Sequence, residues 1–211
     1  MPATASESLI LRTYPYGEAN LVVVFFTREH GKLRGVARAA RKPKSKFGAS
    51  LERLTHSRIF YQLQENRELV FLTGCEVLWS PFALASRYEA GVALDYMAEI
   101  ADLLLPPNET NERFFRLLLA VLEDLQGGAP VWRPVLYFLL WATRLAGILG
   151  DPVVAEESGW IAREMLARPV RELTPREWRK ETARDLRRWL VRDIERHVER
   201  RLQSAPLLES L

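Results

Sequence analysis

Cysteine is nearly absent from this chain of 211 residues, where Cys75 stands alone. A single thiol excludes an intramolecular disulfide and a cysteine-built zinc site within the chain. It fits a reducing, cytoplasmic setting, and Cys75 itself reads as a buried strand residue. Histidine is scarce as well. His30 falls in a turn, His56 in a strand and His197 on a charged helix, none with a cysteine or carboxylate partner at metal-ligand spacing. No Gly-rich loop of the Walker type is present, so no use of ATP is expected. The acidic pairs Glu123-Asp124 and Glu156-Glu157 have nothing converging on them as a two-metal nuclease requires. Long apolar runs are also missing. The segment closest to one, Val131 to Gly150, is interrupted by Arg133, Pro134 and Arg144, and falls short of the roughly 18 uninterrupted apolar residues of a membrane span. The start, Met1-Pro-Ala-Thr-Ala-Ser-Glu7, has neither the basic nor the apolar region of a signal peptide. The expectation is a protein without catalytic residues, metal, cofactor or membrane contact.

Apolar residues, in contrast, are plentiful at 48%, enough to bury a core. Charge is segregated along the chain. Residues 1–80 carry 12 Lys+Arg against 7 Asp+Glu, residues 81–157 carry 5 against 11, and residues 158–211 carry 13 against 9. The densest cationic stretch runs from Gly31 to Leu51. It holds Arg41, Lys42, Lys44 and Lys46 within six residues and no acid among them. Cations packed this closely repel one another unless a polyanion neutralises them, and a phosphate backbone is the commonest one available.

The first 80 residues alternate like strands. Ser8 to Tyr14, Asn20 to Thr27, Lys32 to Arg38, Leu54 to Gln62 and Leu69 to Val77 are expected as strands, with turns at Arg28 to Gly31 and at Asn66-Arg67. Five short strands without an intervening helix suggest a small antiparallel barrel. Within the third, Leu33, Gly35 and Ala37 share one face, and Lys32, Arg34, Val36 and Arg38 the other. At Trp79-Ser-Pro81 the period changes to that of helices. Helices are expected over Phe82 to Leu105, Glu112 to Leu125 and Pro134 to about Leu149, with a short one near Trp160 to Leu166. The pattern Thr174-Pro-Arg-Glu177 has the form of a capping box and predicts a last helix reaching about Leu202. Its apolar stripe is Leu186, Leu190, Ile194, Val198 and Leu202, with Arg184, Arg188, Arg192, Arg196 and Arg200 at the same period.

Four short blocks then carry a resemblance. Tyr14-Pro-Tyr-Gly-Glu-Ala-Asn-Leu21, Phe26-Thr-Arg-Glu-His-Gly-Lys32, Gly35-Val-Ala-Arg-Ala-Ala-Arg41 and Phe47-Gly-Ala-Ser-Leu51 resemble, in order and spacing, the N-terminal domain of the RecO family of bacterial DNA repair and recombination mediators. The closing stretch Arg200-Arg-Leu-Gln-Ser-Ala-Pro-Leu-Leu-Glu-Ser-Leu211 is similar to that family's tail, and the helical middle agrees in type and order. The resemblance implies an α+β chain, with a five-stranded OB-fold barrel over residues 1–80 and an α-helical bundle over 81–211. It implies binding of single- and double-stranded DNA and annealing of complementary strands. It also implies contact with RecR and with the C-terminal tail of single-strand-binding protein, so that RecA can load, in a bacterial cytoplasm near the nucleoid. Two departures stand out. Many members carry a four-cysteine zinc module after the central helix, whereas residues 150–173 are short and free of cysteine, so no zinc is expected. The family's usual Asp in the Gly-Glu-Ala-Asp block is Asn20 here, at a turn or cap position that tolerates either residue.

On this basis the candidate DNA-binding residues are Arg34, Arg38, Arg41, Lys42, Lys44 and Lys46, with Arg200 and Arg201 in the last helical turn. Stacking platforms are expected beside a phosphate-tracking groove. Tyr14, Tyr16, Phe47 and Tyr61 are the aromatics in reach, with Phe47 favoured because it lies inside the basic loop, and Tyr61 assigned to the core. The acidic helical part would repel DNA and suits a short acidic peptide in an apolar groove. Arg116, Arg133 and Arg144 are the cations available to it. Two other readings compete: an RNA-binding or regulatory OB module, and a metal-dependent nuclease.

Overall fold

The computed structural model describes residues 4–63 and 68–211. The expected turn at Asn66-Arg67 lies outside the described residues. Five strands form the first part of the chain: β1 (Thr4–Tyr16), β2 (Asn20–Thr27), β3 (Gly31–Ala37), β4 (His56–Gln62) and β5 (Leu69–Trp79). They close into a barrel in the order β1-β2-β3-β5-β4. All pairings are antiparallel except β3 with β5, which is parallel. This is the OB-type arrangement, a small barrel that leaves no free sheet edge. Ile10, Val23, Phe25, Leu33, Ile59, Tyr61, Val70 and Leu72 fill its interior. At Gly35 a Cβ would lie 2.2 Å from Leu72 Cδ1 and 2.8 Å from Val70 Cγ2, so a side chain there would displace both from the barrel core.

The uninterrupted apolar run of β2 follows from burial on both faces. Val23 and Phe25 point into the barrel, while Phe26 packs outside against Phe114 and Phe115 at ring-centroid distances of 6.2 and 5.7 Å. The turn before β3 forms as the sequence predicts. Thr27 Oγ1 accepts from the His30 N–H at 2.9 Å, and Gly31 takes φ 70° against the backbone of Glu109.

Seven α-helices occur among the described residues: α1 (Phe82–Ala85), α2 (Tyr88–Leu104), α3 (Glu112–Gln126), α4 (Trp132–Leu145), α5 (Glu156–Ala167), α6 (Arg184–His197) and α7 (Ala205–Glu209). The expected helix from Phe82 to Leu105 is interrupted, because a turn closed by the Arg87 N–H on the Leu84 carbonyl separates α1 from α2. α4 buries nearly its whole length, in keeping with its apolar surface all round. No described helix is long and apolar enough to cross a membrane.

The predicted helix starting at Thr174 is corrected by the structure. The segment from 174 to 183 is not helical, and α6 begins only at Arg184. Thr174 does not cap a helix; instead its N–H donates to Glu164 Oε1 at 2.6 Å. Ala183 adopts the left-handed conformation, φ 47°, which stops helix from propagating across it. The apolar stripe of α6 is nonetheless in place, with Leu186, Leu190 and Ile194 fully buried. Burial of each such side chain contributes roughly 1.5–3 kcal/mol.

Two compact units can be distinguished. One gathers the chain through Ala83 with Ala101–Phe115, so that the barrel carries the end of α2 and the start of α3 with it. The other consists of Leu84–Ile100 and Arg116–Leu211. The division into residues 1–80 and 81–211 follows chain order; compactness groups Ala101–Phe115 with the barrel.

Candidate nucleic-acid interface

The outer wall of the barrel over β1, β2, β3 and β5 depends on an irregularity in β1. In β1 the register with β2 shifts between Ile10 and Arg12, leaving Leu11 as an extra residue. Ile10 points into the core. Strict alternation would send Arg12, Tyr14 and Tyr16 inward after it. The bulge reverses their parity, and they emerge on the outside opposite Val24, Val22 and Asn20.

Cross-strand pairing then lines these residues up in rows. One row is Arg12, Val24, Arg34 and Leu69, taken from β1, β2, β3 and β5 in turn. The next is Tyr14, Val22, Val36 and Phe71. Both Val22 and Val36 are buried beneath this surface, and the Tyr14 and Phe71 rings flank them. Two guanidinium groups lie over rings: Arg12 over Tyr14 at 4.8 Å and Arg38 over Phe71 at 4.6 Å. A groove of about 560 Å³ opens here, lined by Tyr16, Asn20, Val36, Arg38, Glu68, Leu69 and Phe71. Glu68 is its one acidic side chain.

The basic loop leaves β3 at the rim of this wall. Asn20 Oδ1 accepts from the Ala39 N–H at 2.9 Å and holds the left-handed Ala39 that starts it. An aspartate oxygen could accept the same bond, which explains the tolerance expected at this position. Arg34 and Arg38 are exposed, as are Arg41, Lys42, Lys44 and Lys46. They are not equally free. The Arg41 guanidinium reaches the carbonyls of Gly17 and Glu18 at 3.5 and 3.3 Å, tying the loop to the β1–β2 turn. Lys46 Nζ donates to the Thr73 carbonyl and sits 5.3 Å from the Phe47 ring centroid.

Phe47 corrects the sequence-based expectation. It is 2% exposed and belongs to the barrel core, where it packs with Leu51 and Ile59. A ring buried this way presents no face to a base. Tyr61 is a core residue as expected: it is fully buried, its hydroxyl lies 2.8 Å from His30 Nδ1, and burial pushes its phenol up to about 12. Cys75 is half-buried against the same core rather than fully enclosed. On this wall the outward-facing aromatics are Tyr14, Tyr16 and the half-buried Phe71. Arg12 and Phe71 are absent from the sequence-derived set. Arg12 was masked by the bulge, and Phe71 by its place in an apolar run; only the pairing of Phe71 with Val36 reveals its face.

The remaining candidates belong to the second unit. Arg200 and Arg201 follow the end of α6, where Glu199 turns left-handed at φ 54°. Arg200 is exposed, and Arg201 pairs with Glu195 at 2.8 Å. Among the three cations suggested for a peptide groove, Arg133 is engaged internally. Its Nε and Nη2 donate to both oxygens of the buried Asp124 at 3.0 and 2.7 Å. Arg144 is exposed and lies over the Trp141 ring at 5.1 Å, and Arg116 is exposed on α3. No cluster of three or more histidine, cysteine or carboxylate side chains that could hold a metal occurs among the described residues.

The fold and this wall define a class: an OB-type barrel protein with a cationic, ring-bearing outer face joined to a helical region. Known proteins narrow the class. Family models described as "Recombination protein O N terminal" and "Recombination protein O C terminal" match residues 1–81 and 85–151. The DNA repair protein RecO of Koribacter versatilis is 51% identical over 146 residues, covering 69% of this chain and 59% of that protein. Its namesake from Pelotomaculum thermopropionicum is 36% identical over 124 residues, 58% of this chain and 47% of that protein. The one from Geobacter metallireducens is 32% identical over 131 residues, 62% and 53%. The chain belongs to the RecO family. It spans about half to three-fifths of the length of these relatives, and residues 152–211 lie beyond both family models.

Proposed function

We propose that this chain acts in DNA repair as a non-enzymatic DNA-binding mediator, with the barrel as its DNA-binding part and the helical region as its partner-binding part. The observation that carries the reading is the cationic wall and loop on an OB-type barrel, in a chain whose relatives are named DNA repair proteins. Arg38 is exposed at the groove, Arg34 is exposed on the adjoining row of the wall, and Lys42 and Lys44 are exposed on the loop. They are suited to neutralising phosphates on single- or double-stranded DNA. Neutralisation lowers the repulsion between two strands, so complementary bases can meet and anneal. The acidic segment from 81 to 157 would repel DNA. Its part in this reading is contact with RecR and with the acidic C-terminal tail of single-strand-binding protein, so that RecA can be loaded. Of the three cations considered for the tail, Arg116 and Arg144 are better placed than Arg133, whose charge Asp124 already satisfies.

Charge reversal tests the DNA-binding part. Arg41 is best left intact, because it ties the loop to the β1–β2 turn. Changing Arg38, Lys42 and Lys44 to Glu is expected to abolish annealing and flatten the salt dependence of single-strand binding by about 0.7 log units per lost phosphate contact. Unchanged affinity and slope would remove the loop from the interface. Competition between DNA and RNA of equal sequence separates this reading from an RNA-binding module, and a Mg²⁺-dependent cleavage assay separates it from a nuclease.

A further inference from the structure

The structure assigns the row Tyr14, Val22, Val36 and Phe71 as the part of the barrel wall that tells unpaired from paired DNA. The assignment rests on the DNA-binding reading above and adds to it which side chains read the strandedness.

The argument begins with geometry. The two rings stand at the ends of one cross-strand row, separated by three strand spacings, about 14 Å. Between them the floor is apolar and buried, formed by Val22 and Val36. The row lies between cations, with Arg12 and Arg34 on the neighbouring row and Arg38 on the other side near Tyr16. A single strand laid across β1 to β5 could place phosphates against the guanidinium groups and bases along the rings and valines. Glu68 at the rim is the one carboxylate on this groove, and it disfavours a phosphate at that point.

The state of the rings supports the same conclusion. Each has one face covered by a guanidinium, Arg12 on Tyr14 and Arg38 on Phe71. An arginine over an exposed ring stabilises it less than a base stacked there does. A base that replaces the guanidinium therefore gains on the ring, while the freed cation turns to a phosphate. A duplex offers only base-pair edges and phosphates to an outer barrel wall, so it can use the cations but not the ring faces. The rings then contribute to single strands alone, and the cations to both forms.

The test measures affinity of the full chain for an oligothymidine and for a duplex of equal length, each over a salt series. Tyr14→Leu and Phe71→Leu keep an apolar cover over the valines. Each is expected to weaken oligothymidine binding about 2- to 30-fold, the stacking of a base less that of the arginine it displaces, with duplex affinity and both salt slopes unchanged. Tyr14→Phe and Phe71→Tyr retain a ring and should retain the preference. Arg12→Ala and Arg34→Ala should weaken both ligands and flatten the slope by about 0.7 on single strands and 0.9 on duplex. As a measurement independent of any variant, an oligonucleotide carrying 5-iododeoxyuridine should photocrosslink to Tyr14 or Phe71. Equal loss on both DNA forms, no loss of single-strand affinity, or crosslinks confined to other peptides would overturn the assignment while the DNA-binding reading stands. If the unaltered chain binds neither DNA form, that underlying reading fails first.

Discussion

Phe47 illustrates how a residue's neighbours in sequence and in space can argue opposite roles. Its sequence neighbours Lys44 and Lys46 suggest a ring offered to DNA, but its spatial neighbours are Leu51 and Ile59 in the barrel core. Phe47→Ala should accordingly cost about 3–5 kcal/mol of stability. Thermal or urea unfolding would register it, with the ratio of single-strand to duplex affinity unchanged in the folded fraction. Arg187 makes the complementary case. It reads as one more cation on a charged helix, yet it is 1% exposed. It lies over Trp132 at 4.4 Å, donates to Glu209 Oε1 at 3.0 Å and donates to the Lys180 carbonyl at 2.9 Å. Leaving such a site half-filled by removing one partner costs more than the pair's net contribution. A charge count treats Arg187 and Arg188 alike, whereas burial separates an internal tie from a surface cation.

Among the elements, the segment after α5 shows how carboxylates replace helical capping. Glu164 accepts from the Thr174 N–H and pairs with Arg176, while Asp185 accepts from the Ala155 N–H at 2.6 Å and from the Ser158 hydroxyl. Desolvation pushes both carboxyls up, but the donated hydrogen bonds, with Arg176 and Arg168 beside Glu164, outweigh it and hold both below the usual carboxylate range. A carboxyl depressed in the folded state contributes stability that is complete above its unfolded value, about 4, and is lost as pH falls through the lower folded value. Stability should therefore decline below about pH 4 to 5. Glu164→Gln and Asp185→Asn should each make that decline shallower, as urea unfolding across a pH series would show. The capping box at Thr174 was legible but misleading. Its local preference is real, and it loses to an acceptor from α5 that no local pattern contains. The five strands and the order of the helices were legible because apolar period follows directly from which face is buried.

For the molecule as a whole, the proposed DNA binding predicts a salt slope that counts the phosphates neutralised and the unit that neutralises them. Replacing Arg200 and Arg201 by Ala should reduce the single-strand salt slope by about 1.4 if both reach phosphates, twice the single-contact value. A slope that stays constant confines DNA to the barrel. Composition, charge segregation and the four N-terminal blocks were enough to determine a barrel followed by helices, the cationic loop, and the family. These are properties of local pattern, and one sequence carries them. Which side chains form the wall is a different kind of property. It depends on parity, and one extra residue at Leu11 reverses the parity of Arg12, Tyr14 and Tyr16. It depends equally on the parallel pairing of β3 with β5, which sets Phe71 beside Val36 from a distant part of the chain. Neither a bulge nor a non-local register leaves a local signature, so only the closed barrel decides which rings and guanidinium groups stand together.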